Sequence, residues 1–271
     1  MRDSRPLAGA GILVTRPAEQ AQRLIGLIDA AGGRAIRFPV LEIIGPAQPR
    51  VLIQELVGLG PDGIIVFVSG NAARHALGAL REQGLPLPVA EYVATGPGTE
   101  RAIRAFGLTP VTTAPTPFDS EALLTMRGMQ AVVGRRILIV RGDGGRPLLG
   151  DTLRARGANV TYVEAYRRRV PEADPGPVLA LWAAGGVQIV TVASSLSLTN
   201  LHELIGAQGR DLLRRTPLVV ISGRTAAMAE RFGIEMPVLL TREASDEAIM
   251  ETLRTWREDV HKLDGTRAGR G

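Results

Sequence analysis

Ile12-Leu13-Val14-Thr15-Arg16-Pro17 is followed by apolar residues at Ala21, Leu24, Ile25 and Ile28, and Ile137-Leu138-Ile139-Val140-Arg141-Gly142 later opens the same register again. A β-branched run of strand length, a polar turn and apolar residues at helical spacing make a βα unit. Pro17 stands where the first turn of a helix tolerates proline. The two copies stay aligned without a gap, Gly32 falling on Gly157 and Pro46 on Pro171. Outward from this pair, Ile65-Val66-Phe67-Val68-Ser69 matches Ile189-Val190-Thr191-Val192-Ala193. A third unit matches Thr99 to Thr225, Phe106-Gly107-Leu108 to Phe232-Gly233-Ile234, and Glu121 to Glu247. The chain therefore reads as units A, B and C, given twice. Gly32 and Gly107 supply helix stops.

Repeated βα units build parallel sheets with helices on both faces, and near-continuous apolar runs such as Ile64 to Val68 suit strands buried on both sides. Two domain arrangements fit the repeat. A cut near Val133 leaves two consecutive halves; alternatively the first A packs with the second B and C, and the intervening units form an inserted domain. Phe38-Pro39-Val40-Leu41-Glu42-Ile43 and Val163-Glu164-Ala165-Tyr166-Arg167-Arg168 end the two A units equivalently, and either arrangement leaves them as candidate crossing strands.

Composition bounds the function. At 271 residues, with 45% hydrophobic and 22% charged residues, the chain can bury two cores and is not of disordered type. Its apolar runs fall far short of a membrane span, and no apolar leader follows Met1 to Arg5, so a cytoplasmic protein without membrane association is expected. There is no cysteine, which excludes disulfides and thiolate chemistry. The net charge of +5 comes from arginine, Lys262 being the only lysine. These arginines are scattered among acidic residues rather than clustered with aromatics, which favours an anionic small molecule over nucleic acid.

Ligands of open parallel sheets bind beyond the carboxyl ends of the strands, where helix N-termini offer free N–H groups to anions. Those positions read Thr15-Arg16-Pro17, Ser69-Gly70-Asn71, Thr95-Gly96-Pro97-Gly98-Thr99, Arg141-Gly142-Asp143-Gly144-Gly145, Ala193-Ser194-Ser195 and Ser222-Gly223-Arg224-Thr225. Any one hydroxyl there serves as an ordinary helix cap; their repetition points to a polar cleft for a polyanion. Dinucleotide fingerprints fail, since Arg101 and Pro147 occupy the third glycine positions. His75, His202 and His261 are isolated, so no metal is expected, and no G-x-S-x-G elbow carries a nucleophile.

The ordered set of segments resembles the uroporphyrinogen-III synthase family. It comprises Val14-Thr15-Arg16-Pro17, Phe67-Val68-Ser69-Gly70-Asn71-Ala72, Gly96-Pro97-Gly98-Thr99, Thr116-Pro117-Phe118-Asp119-Ser120-Glu121-Ala122-Leu123, Ile139-Val140-Arg141-Gly142, Val163-Glu164-Ala165-Tyr166-Arg167 and Ile221-Ser222-Gly223-Arg224-Thr225-Ala226. The resemblance implies an α/β protein of two flavodoxin-like, doubly wound parallel-sheet domains joined by a two-stranded linker, the second inserted in the first. Residues 1–38 with 171–262 form one domain, 46–163 the other, 39–45 and 164–170 the linkers, and 263–271 a disordered tail.

It also implies a cofactor-free hydro-lyase of haem biosynthesis. Hydroxymethylbilane loses water, its last ring is inverted and the macrocycle closes as the type III isomer. The enzyme's main task is then orientation of a folded polycarboxylate. Tyr166 matches the family tyrosine linked to water loss. Arg16, Ser69, Gly70, Asn71, Gly96, Thr99, Arg141, Gly142, Ser194, Ser195, Ser222 and Thr225 match cleft positions and are assigned to substrate. Arg224, and Ala193 ahead of Ser194, depart from the family pattern. The protein is expected to be a monomer open to transient handover of the bilane from hydroxymethylbilane synthase. The main rival is a two-lobed, non-enzymatic anion- or sugar-binding protein, and a two-lobed nucleotide-sugar transferase is a second.

Overall fold

The computed structural model describes residues 5–268, with side chains described to Lys262. The chain begins β1 (Gly11–Val14), α1 (Ala18–Ala30), β2 (Arg34–Arg37), β3 (Glu42–Ile44), α2 (Pro49–Val57), β4 (Ile64–Phe67), α3 (Gly70–Glu82), β5 (Glu91–Ala94), α4 (Pro97–Arg104) and β6 (Val111–Thr113). It continues through α5 (Ser120–Thr125), α6 (Arg127–Gln130), β7 (Arg136–Gly142), α7 (Leu148–Ala155), β8 (Asn159–Arg169), α8 (Gly176–Ala183) and β9 (Ile189–Val192). Then come α9 (Ser195–Leu204), α10 (Gly206–Arg214), β10 (Leu218–Val220), α11 (Gly223–Arg231), β11 (Val238–Leu240) and α12 (Asp246–Ala268).

The chain divides into two compact units, Met1–Glu42 with Arg169–Gly271, and Ile43–Arg168. In the first, the sheet runs β11-β10-β9-β1-β2, all parallel. In the second it runs β3-β8-β7-β4-β5-β6. The A unit of one repeat thus shares a sheet with the B and C units of the other, and a cut near Val133 does not describe the fold. The segments expected as linker strands contribute β3 and β8, which lie side by side at one edge of the six-stranded sheet, β8 pairing on its other side with β7.

Each sheet buries both faces, as the apolar runs require. In the first unit Ile12 and Val14 face α1 and α12 through Leu24, Ile28, Ile249 and Leu253, while Leu13 faces Trp182, Leu198 and Ala229. In the second, Ile65 and Phe67 meet Leu52, Leu77 and Ile103, and Ile64 and Val66 meet Leu123, Leu149 and Leu153. Full burial of such a side chain contributes about 1.5–3 kcal/mol, so these strands anchor the polar turns that follow them. Gly32 and Gly157, at φ 81° and 86°, end the helices of the two A units in the left-handed conformation that a side chain would oppose.

Two details differ from the sequence reading. The β1–β9 ladder sets Ile12 opposite Ile189, and the β7–β4 ladder sets Ile137 opposite Ile64. Since Ile12 and Ile137 are equivalent, the counterpart of Ile189 is Ile64, and the match of Ile65 to Ile189 is one residue out. Ser194, not Ala193, therefore corresponds to Ser69. The tail expected to be disordered from residue 263 is helical to Ala268, continuing α12, which carries the Asp259–Lys262 pair. The rest of that expectation, residues 269–271, lies outside the described residues.

Candidate active site

The strand ends share one backbone device. Ser69, Ser194, Ser222 and Gly96 are the N-caps of α3, α9, α11 and α4, all in extended conformation with φ between −154° and −179°. The serine Oγ atoms accept from Ala72 N at 3.1 Å, Ser197 N at 3.0 Å and Thr225 N at 3.3 Å. This is ordinary capping, and it commits each serine to the third helical N–H.

In the first unit the expected residues form a hydroxyl cluster. Thr225 is fully buried, and its Oγ1 lies 2.9 Å from Ser222 Oγ and 3.5 Å from Ser195 Oγ. Ser194 Oγ and Ser197 Oγ are 2.9 Å apart. Arg16 is committed elsewhere: its guanidinium pairs with Asp246 at the start of α12, and the two side chains are only 14% and 13% exposed.

The second unit gathers Tyr166, Ser69, Arg141 and Gly142 around a pocket of about 250 Å3. Tyr166 reaches it through a local irregularity. The β7–β8 ladder pairs Arg141 with Glu164 but Gly142 with Tyr166, so one extra residue of β8 is inserted and Tyr166 is re-aimed. The absence of a side chain at Gly142 makes room for the ring, since a Cβ there would lie 2.6 Å from Tyr166 Cζ. Tyr166 is 5% exposed, stacks on His75 with ring centroids 5.8 Å apart, and places Oη 3.3 Å from Ser69 Oγ. That separation is long for a hydroxyl pair, so the phenol keeps most of its donor capacity for another partner.

Gly70 and Asn71 form the first turn of α3, Asn71 Oδ1 accepting from Arg74 at 2.6 Å. A Cβ on Gly70 would come within 3.4 Å of the Gly98 carbonyl, so the caps of α3 and α4 lie side by side. Thr99 is 6% exposed, and its hydroxyl makes no hydrogen bond to the described residues.

The pocket also contains residues that the sequence reading passed over: Ser120, Arg146, Tyr162 and Arg168. Arg146 is bound to Glu121, whose carboxyl it holds below the usual range by that hydrogen bond. Arg168 Nε lies 3.6 Å from Asp143. Arg141 differs from both. It makes no hydrogen bond or ion pair to the described residues and lies over the Tyr162 ring at 3.9 Å from the centroid. Tyr162 and Tyr166, four apart on one strand, carried a signal in the sequence, since alternation places i and i+4 on a common face; the bulge then sends them to different cores.

Among the described residues no group of three or more His, Asp or Glu comes together in a way that could hold a metal, and no helix is long and apolar enough to cross a membrane.

The family model described as uroporphyrinogen-III synthase HemD matches residues 22–250. Uroporphyrinogen-III synthase of Escherichia coli (strain K12) is 32% identical over 245 residues, covering 90% of this chain and 99% of the relative. The enzyme of that name from Salmonella typhimurium is 32% identical over 248 residues, with the same coverages. Among solved structures, a mutant uroporphyrinogen III synthase of Thermus thermophilus aligns with a TM-score of 0.60 at 19% identity, covering 93% of this chain and 99% of that one, a likeness of fold.

Proposed function

The chain belongs to the uroporphyrinogen-III synthase family, and from that premise we propose that the pocket of its second unit is where ring closure is assisted, with Tyr166 as the group that acts on the leaving hydroxyl. The family's reaction converts hydroxymethylbilane to uroporphyrinogen III with loss of water and inversion of the last ring. Loss of hydroxide leaves an electrophilic methylene on a pyrrole, so what the protein must supply is a donor for the departing oxygen and a fixed fold of the chain. Tyr166 supplies the donor. Its hydroxyl stands at the pocket with Ser69 Oγ, at 3.3 Å, as its one hydrogen-bonding neighbour among the described residues, and this is the observation that carries the reading.

The substrate is a polycarboxylate, and the remaining residues are suited to hold it. The helix N-termini behind the caps Ser69, Gly96, Ser194 and Ser222 favour anions through their dipoles and first-turn N–H groups. Arg141 offers a bidentate guanidinium with no internal partner among the described residues. Arg16 is assigned instead to holding α12 on β1 through Asp246. The flavodoxin-like description is supported by strand order: the first sheet runs 2-1-3-4-5 in chain order, and the second repeats that succession of A, B and C strands with its A strands last in the chain and β3 added at the edge beside β8. A cytoplasmic monomer receiving the bilane by handover is supported by the family resemblance alone.

The test is to supply purified protein with freshly made hydroxymethylbilane and resolve the product isomers, type III being expected. Type I alone, the product of unassisted closure, would refute the reading and favour a binding protein. Tyr166→Phe is expected to slow turnover by about tenfold or more, the worth of one hydrogen bond to a developing charge, while the product stays type III. Unchanged turnover would remove Tyr166 from the chemistry.

A further inference from the structure

Arg141 presents an anomaly. A half-buried arginine without a hydrogen bond would ordinarily sample many rotamers, yet its guanidinium carbon sits 3.9 Å from the centroid of Tyr162. Stacking engages the flat face of the guanidinium and leaves its N–H edges unoccupied. Arg154 approaches the same ring at 5.1 Å, but it is committed, donating to Asp151 at 3.2 Å and to the Val160 carbonyl at 3.1 Å. Of the two cations on this ring, only Arg141 keeps its donors open to the pocket.

Tyr162 is itself fixed at its far end. Its Oη donates to the Pro147 carbonyl at 2.9 Å and accepts from Gly150 N at 3.0 Å, tying the ring to the first turn of α7. Gly150 is required for this docking, because a Cβ there would lie 2.3–2.9 Å from the phenol. The contacts form a continuous sequence: the start of α7 holds the Tyr162 hydroxyl, the Tyr162 ring holds the Arg141 plane, and the Arg141 edge faces the pocket. We propose that Tyr162 is a positioning residue for substrate binding, orienting Arg141 so that its N–H edge meets a carboxylate of the bilane. The inference rests on the reading of Arg141 as a carboxylate partner.

It predicts a specific kinetic pattern in the full-length protein with hydroxymethylbilane. Arg141→Ala raises KM by about tenfold with kcat little changed, the loss of a charge-assisted contact made equally in ground and transition states. Tyr162→Leu raises KM by about three- to tenfold, the range of a cation–π contact with partial desolvation. In the Arg141→Ala background Tyr162→Leu adds nothing further to KM, because its whole effect passes through Arg141. Tyr162→Phe, which keeps the ring and loses the tether, gives a smaller rise and serves where Tyr162→Leu does not fold. An unchanged KM in Arg141→Ala would overturn the underlying reading of Arg141. A raised KM in Arg141→Ala with wild-type KM in the Tyr162 variants, or with equal Tyr162 effects in both backgrounds, would overturn the positioning role while leaving that reading intact.

Discussion

Gly142→Ala places a single methyl against the group assigned to the chemistry. The new Cβ would lie 2.6 Å from Tyr166 Cζ, 2.7 Å from Cε2 and 3.0 Å from Oη. Carbon atoms pack at about 3.5–4.0 Å, so ring and strand must separate by about 1 Å. Gly142 is outside the left-handed region, so alanine brings no backbone penalty and the effect is steric. Overpacking of this kind costs about 1–3 kcal/mol of stability. The larger effect falls on turnover, since a misplacement of about 1 Å at a reacting group costs on the order of 100-fold. Single-turnover formation of uroporphyrinogen III measures it, with urea unfolding of the same samples to record the stability change. In the Tyr166→Phe background the further loss from Gly142→Ala should shrink to a few-fold, because the hydroxyl whose position mattered is already gone. Full turnover in a folded Gly142→Ala protein would refute the claim that the position of Tyr166 governs the rate.

Arg16→Ala should destabilise the first unit by about 2 kcal/mol, leaving Asp246 without its partner, whereas Arg141→Ala, which loses only its stack on Tyr162, should cost about 1 kcal/mol or less; urea midpoints compare them. Thr225→Val removes a buried hydroxyl bonded to Ser222 and should cost about 1 kcal/mol, more than Thr99→Val, whose hydroxyl has no such partner. Burial raises the Tyr92 phenol to about 12 from 10.0, and its Oη donates to the Pro88 carbonyl. Above pH 10 the unfolded chain loses this proton and the folded one keeps it, so a contribution of roughly 2 kcal/mol, complete below pH 10, disappears as pH rises through 12. Unfolding midpoints between pH 9 and 12 should fall less steeply in Tyr92→Phe.

The legible part of the fold was the part written in local chemistry. Ile-Val runs, the turn residues after them and glycines such as Gly32 and Gly157 marked the strands and the repeat, because each depends on neighbours close in sequence, whereas which A unit shares a sheet with which B and C units does not. The register of the B units was not legible. Both Ile64 and Ile65 begin a β-branched run, and only the ladder partner in another part of the chain distinguishes them. The Arg16–Asp246 pair was hidden for the same reason, since it joins the turn after the first strand to the last helix of the same unit. The direction of Tyr166 depends on an inserted residue in β8 that breaks the alternation on which a sequence argument relies.

The repeat explains both the likeness and the division of labour between equivalent positions. Exchange of A units between sheets gives each unit one A, one B and one C, so capped turns recur as Ser69 with Ser194 and Gly96 with Ser222. At the ends of the A strands the copies have diverged. Arg16 precedes Pro17 and is held by Asp246 from α12, the helix that closes the second C unit. Arg141 precedes Gly142, which admits the Tyr166 ring, and rests on Tyr162 with its donors open. One arginine closes a core and its counterpart opens a pocket. On the proposed reading, the chemistry falls to the second unit through two local changes, a glycine in place of a proline and a bulge opposite it, while the first unit keeps the hydroxyl-lined caps.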